Sequence, residues 1–99
     1  MFILIRSAGI KPGPTAEVFL IAQEIADYLN KKYSTKVKVF MPVFSNITRV
    51  IWFSEYENLT VIEEIGQKIR TDEGYFAVVS KLADKVIEGS VKDELFQSL

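Results

Sequence analysis

Arg6 and Glu88 are opposite charges set in stretches of strand-forming residues, Phe2 to Ser7 and Lys85 to Val91. If neighbouring strands bring them together, the pair could bind or polarise an anionic or enol-type substrate. Glu88 then serves as a base where burial raises its pKa. The same pair could equally be a structural ion pair. Trp52, Ser54 and Tyr56 alternate along one side of a single strand, with Phe40 on the strand before it. The indole could stack on a flat aromatic ligand while Ser54 and Tyr56 donate hydrogen bonds, or it could simply fill a core. Glu88, Tyr56 and Tyr75 are the plausible groups for taking a proton, because the chain contains no histidine and no cysteine.

Those absences exclude whole classes of chemistry. A Ser-His-Asp triad, a histidine zinc site, a thiolate metal site and a cysteine nucleophile all lack their central residue. Neither an Asp-rich calcium loop nor a phosphate-binding glycine loop is present. Twelve Lys and Arg against 13 Asp and Glu give a formal net charge of -1, so no broad positive field awaits a nucleic-acid backbone. The opening Met-Phe-Ile-Leu-Ile is too short for a signal-peptide core, and no run reaches the roughly 18 apolar residues of a membrane span. The expectation is a cytoplasmic protein of one domain, residues 1 to 99, without membrane or nucleic-acid partners, metal or cofactor.

The elements that position these residues follow from periodicity. Phe2 to Ser7 reads as a central strand. Lys11-Pro12-Gly13-Pro14 turns the chain into a helix to about Lys32, with Val18, Ile21, Ala22, Ile25 and Leu29 as its apolar stripe. A strand from about Lys36 to Phe44 holds Pro42, which cannot donate a ladder hydrogen bond and so belongs at a sheet edge. A turn at Ser45-Asn46 leads to a strand from Ile47 to Tyr56. Asn58 caps a helix to about Arg70 with Leu59, Ile62, Ile65 and Ile69 inward. A short helix from Glu73 to Ala83 buries Tyr75, Val79 and Leu82. The final strand is expected at Lys85 to Val91, with Lys92 to Leu99 as a tail.

The order β-α-β-β-α-β with right-handed crossovers predicts an α+β, ferredoxin-like sheet. Its strand order is 4-1-3-2, antiparallel throughout, with the helices on one face. The strand ending at Tyr56 is apolar on both faces, so both must be covered. One consistent assignment puts Ile3, Ile5, Val39, Ile51 and Phe53 beneath the helices. Leu4, Arg6, Phe40, Trp52, Ser54, Tyr56 and Glu88 then share the other face, covered by a second copy of the chain packed sheet to sheet.

Arg49-Val-Ile-Trp-Phe-Ser-Glu-Tyr-Glu-Asn-Leu59 resembles the strand-to-helix passage of dimeric α/β-barrel proteins, the antibiotic-biosynthesis-monooxygenase-like and NIPSNAP-like small barrels. Lys11-Pro12-Gly13 is similar to their turn before the first helix, and Glu88-Gly89-Ser90-Val91 to their last strand. The resemblance implies a homodimer whose sheets close around a cavity. It also implies functions from cofactor-free oxygenases and haem-degrading enzymes to isomerases and ligand sensors. The haem-degrading members hold iron through a histidine, which this chain lacks.

Two functions fit. One is a homodimer binding a small apolar or aromatic ligand through Arg6, Phe40, Trp52, Ser54, Tyr56 and Glu88. The other is a cofactor-independent monooxygenase or isomerase acting on an electron-rich aromatic or polyketide-like substrate, with Glu88 as its candidate base. RNA binding through the same element order fails, because Arg49 to Tyr56 lacks the glycine-aromatic strand motif.

Overall fold

The computed structural model describes residues 1–99 apart from Phe44, Ser45 and Ile47. Strand β1 (Phe2–Gly9) leads through Gly13, whose φ of 112° suits a residue without Cβ, into helix α1 (Thr15–Tyr33). Val18, Ile21, Ala22, Ile25 and Ala26 of α1 are buried, so the helical stripe read from the sequence is the core face. Ser34, at φ 55°, ends the helix in the left-handed region. Asn30 fixes the return of the chain. Its amide oxygen accepts from the Val37 N–H (2.7 Å) and the Thr35 hydroxyl (2.8 Å), and its nitrogen donates to the Val37 carbonyl (3.0 Å).

Strands β2 (Lys38–Phe40) and β3 (Arg49–Tyr56) follow, then α2 (Leu59–Ile69), α3 (Glu73–Val79) with a 3-10 turn Ser80–Leu82, and β4 (Lys92–Gln97). Asn58 caps α2, its side chain accepting from the Val61 N–H at 3.0 Å, and Asp72 caps α3 in the same way through Tyr75. The sheet order is β2-β3-β1-β4, all pairings antiparallel. This is the expected 4-1-3-2 order. Strand β2 lies at the sheet edge as expected but ends at Phe40, so Pro42 falls beyond it and not within a strand from Lys36 to Phe44. The Ser45-Asn46 turn falls on Ser45, outside the described residues.

Two expectations are corrected. The last strand is Lys92–Gln97, not Lys85 to Val91. Residues 85 to 87 instead extend the far end of β1 through bonds from Lys11 N–H to the Lys85 carbonyl (3.0 Å) and from Ile87 N–H to the Gly9 carbonyl (2.9 Å). A turn at Gly89, φ 76°, then starts a fresh segment beside Phe2 to Ser7. The Ser90 hydroxyl, accepting from Gly9 N–H at 2.9 Å, locks that turn against β1.

The second correction concerns the faces of β1 and β3. Arg6 pairs with Trp52, Leu4 with Ser54 and Ala8 with Val50 in register, and this set lies beneath the helices. Val50 and Ala8 are in the core cluster with Val18, Ala22 and Ile25. Ile3, Ile5, Ile51 and Phe53 therefore occupy the open face. Strand β2 is oriented as expected, since Val39 pairs with Trp52 beneath the helices, while Phe40 pairs with Ile51 on the open face. No helix among the described residues is long and apolar enough to cross a membrane.

Candidate functional site

Helix α2 carries a strong apolar stripe, yet none of its residues is buried. Ile62, Ile65 and Ile69 line a half-open cavity of about 530 Å³ between the helix-facing side of the sheet and α1, α2 and α3. Leu4 and Trp52 form part of its sheet wall, and Ile25, Leu29, Val79 and Leu82 line the helical side. The space falls within the range that holds a small-molecule ligand. An inward helix stripe that meets space instead of side chains explains why α2, expected to seal the core, leaves it open.

The polar groups in this wall are few. Arg6 and Ser54 project from the two central strands, Tyr56 from the end of β3, Tyr75 from α3, and Arg70 from the end of α2. Ser54 is buried at 5 % exposure and Tyr75 at 9 %. Arg6 stands half-exposed at the rim, its Nε and Nη2 donating to the two carboxylate oxygens of Asp93 at 2.6 and 2.7 Å. Hydrogen bonding to Asp93 holds the Arg6 pKa above its ordinary value against the opposing effect of burial, and the neighbouring Tyr75 hydroxyl acts in the same direction. The same hydrogen bonds hold the Asp93 carboxyl below its usual range. Trp52 does two things at once. Its ring lines the cavity, and its indole N–H donates to the Ala22 carbonyl at 3.1 Å.

A second polar cluster supports the helical wall. Asp72, 5 % exposed, accepts from Tyr28 at 2.7 Å, from Tyr33, and from the Tyr75 N–H at 3.0 Å, with Lys32 Nζ 3.0 Å away. The hydrogen bond from Tyr33 contributes most to holding the Asp72 carboxyl far below the ordinary carboxylate range. The cluster ties the last turns of α1 to the start of α3 and thereby places Tyr75. Among the described residues no group of three His, Cys, Asp or Glu is arranged to hold a metal ion.

No protein-family profile matches the sequence, nor does any curated protein. Solved structures do match in shape. An uncharacterised NIPSNAP domain protein from Burkholderia xenovorans superimposes with a TM-score of 0.82 at 12% identity, covering 100% of this chain and 95% of that one. A NIPSNAP family protein from Agrobacterium tumefaciens gives 0.80 at 16%, covering 99% and 92%. A protein from Nitrosomonas europaea, proposed to be an antibiotic biosynthesis monooxygenase, gives 0.76 at 14%, covering 100% and 99%. The fold is the one shared by NIPSNAP and antibiotic-biosynthesis-monooxygenase proteins. At these identities the likeness concerns the fold, as the sequence resemblance implied.

Four of the six residues read as ligand-binding from the sequence meet at one cavity: Arg6, Trp52, Ser54 and Tyr56. They meet beneath the helices, not on the opposite face where they were expected. Phe40 is separated from them, stacking edge-to-face on Phe53 at 5.9 Å across the open side of the sheet. Glu88 is also separate. It is exposed in the turn before Gly89, and the partner of Arg6 is Asp93. Arg70 and Asp93 were missed. Arg70 read as the end of a helix, and Asp93 was hidden in a charged segment taken for a tail.

Proposed function

We propose that the protein is a homodimer that binds a small apolar or aromatic ligand between its sheet and helices α2 and α3. The observation that carries this reading is the cavity of about 530 Å³, walled by aliphatic side chains, with Trp52 as a flat aromatic surface and Ser54, Tyr56 and Tyr75 as sparse polar groups. A half-open apolar cleft of this size leaves its aliphatic lining in contact with water, which a bound apolar body would displace. The dimer is supported by the other face of the sheet, where Ile3, Ile5, Phe40, Ile51 and Phe53 leave an apolar surface without a cover.

The test is native mass spectrometry of the purified protein, followed by denaturation of the same sample and titration of the emptied protein with flat aromatic compounds. A dimer that releases or takes up one small molecule per chain is the expected result. A protein whose tryptophan fluorescence is unmoved by every aromatic compound tried would overturn the ligand reading.

A second reading is favoured by one feature of the wall. Tyr75 and Arg6 both line this largely apolar wall, and such a pair of donors can stabilise a developing oxyanion on a bound aromatic substrate. A cofactor-independent monooxygenase or isomerase acting on an electron-rich aromatic or polyketide-like substrate would use it. With Glu88 outside the cavity, Tyr75 becomes the proton-handling group of that reading. Substrate turnover that Tyr75→Phe abolishes without loss of binding would separate the enzyme from the binding protein.

A further inference from the structure

We infer that the ligand this cavity accepts carries a carboxylate on its apolar body, and that Arg6 is the group that reads it. The inference rests on the cavity being a ligand site, and three observations carry it. First, the wall has a charge of one sign: it includes Arg6 and Arg70 and no aspartate or glutamate. An apolar wall lined by two arginines, only one of which is held by an acid, Asp93 outside that wall, is complementary to an anion.

Second, Arg6 retains free donors. A guanidinium has five N–H groups in a fixed fork, and Asp93 engages it along one edge, through Nε and Nη2. The outer edge, formed by Nη1 and the second Nη2 hydrogen, remains to meet a second planar pair of oxygens. That is the geometry in which arginine receives a carboxylate. Tyr75 lines the same wall and can add a neutral donor to the same anion.

Third, the position of Asp93 makes its hold on Arg6 adjustable. It is half-exposed on the edge strand β4 and does not line the cavity, whereas Arg6 does. A ligand therefore places its apolar body in the cavity and its carboxylate at the rim, where it shares Arg6 with Asp93 or displaces it. Asp93 in this arrangement is a positioning residue that competes with the ligand for one cation.

The test uses two probes of the same shape and different charge, 2-naphthoate and 2-naphthamide, titrated by calorimetry into the full chain. Wild-type protein is expected to bind naphthoate about tenfold more tightly, the effect of one charge-assisted contact at a half-exposed site. Arg6→Gln abolishes that preference by weakening naphthoate far more than naphthamide. Asp93→Asn removes the competing anion, and the preference widens several-fold. Equal binding of the two probes by wild-type protein overturns the carboxylate assignment and leaves the apolar ligand site standing. A preference that survives Arg6→Gln overturns the role of Arg6. Binding of neither probe overturns the ligand site and this inference together. Should Arg6→Gln fail to fold, Asp93→Asn decides, because an unchanged preference there overturns the competition.

Discussion

Trp52 reaches across from the sheet to α1, its indole N–H bonded to the Ala22 carbonyl at 3.1 Å. Trp52 is the single tryptophan of the chain and forms part of the cavity wall, so its emission reports directly on occupancy. Trp52→Phe keeps an aromatic surface and loses the hydrogen bond, which costs about 1 kcal/mol of stability. Trp52→Ala removes the surface too and costs about 3–5 kcal/mol. Urea unfolding followed by circular dichroism measures both. A ligand stacked on the indole binds Trp52→Phe nearly as well as wild type and Trp52→Ala much more weakly.

Asp72 gives the protein a pH window with two edges. Its folded pKa is depressed, first by the Tyr33 hydrogen bond, so its contribution is complete above the ordinary aspartate value of 3.8. That contribution fades only as pH falls towards the lower folded value. Tyr33 and Lys32 behave oppositely. Hydrogen bonding to Asp72 raises both pKa values above 10.0 and 10.5, so their contributions are complete below those values and are lost as pH rises through the folded ones. Thermal unfolding should show a plateau across neutral pH with losses in strong acid and strong base. Tyr33→Phe is expected to flatten the alkaline edge, and a profile identical to wild type would disprove the assignment.

Gly74 is required by its neighbour. A Cβ at this position would run into the Tyr28 hydroxyl and stand 3.1 Å from the ring carbon that bears it. Gly74→Ala therefore pushes Tyr28 away from Asp72, although alanine is otherwise the better helix former. The variant is expected to lose stability despite its improved helix propensity. Combining it with Tyr28→Phe, which removes the obstructing oxygen, should recover part of the loss. A strictly additive pair would show that the contact is irrelevant.

Asn58→Ala isolates the contribution of the α2 cap. The loss of its bond to Val61 N–H costs about 1 kcal/mol. Helix α2 buries no residue of its own, so local loosening at its start should be visible as faster amide exchange along Leu59–Ile69 before the sheet is affected. Exchange that changes uniformly across the molecule would contradict this.

The sheet order was legible because independent local signals agreed. Pro42 demanded an edge, and the two most apolar strands demanded the centre. The helix spans were equally plain, since α1 and the Asn58 cap follow directly from spacing and residue type. The faces of β1 and β3 were not legible. Val50 and Trp52 on one side and Ile51 and Phe53 on the other are about equally apolar, and a strand with two apolar sides gives parity nothing to choose by. The last strand was obscured for the opposite reason. Lys92-Asp93-Glu94 opens it with three charges, whereas Val86 and Ile87 just upstream look more like a strand and form only a bridge to the end of β1. Misplacing that strand moved the acid opposite Arg6 from Asp93 to Glu88. One signal could have corrected it: Glu88-Gly89-Ser90 is a turn sequence, and a turn there leaves six residues, Lys92–Gln97, to pair with the apolar run Phe2 to Ser7.

The open face of the sheet supports the last prediction. Ile5, Ile51 and Phe53 form its centre, with Phe40 at 48 % exposure and Phe96 at 47 % toward the two edges. Lys38 and Glu94, on the same face, supply charges of both signs near the outer strands. A second copy related by a two-fold axis would meet an apolar centre with an apolar centre, and its rim could match plus to minus. A stable pair needs about 800 Å² from each partner, to be drawn from two eight-residue central strands and edge strands of three and six residues. Phe53→Glu places a carboxylate at the middle of this surface without touching the cavity side. Light scattering should find a dimer for wild type and a monomer for Phe53→Glu at the same concentration, with retained helix and strand content. A variant that remains fully dimeric would show that the copies pair through some other surface, and the exposed apolar face would then need a different cover.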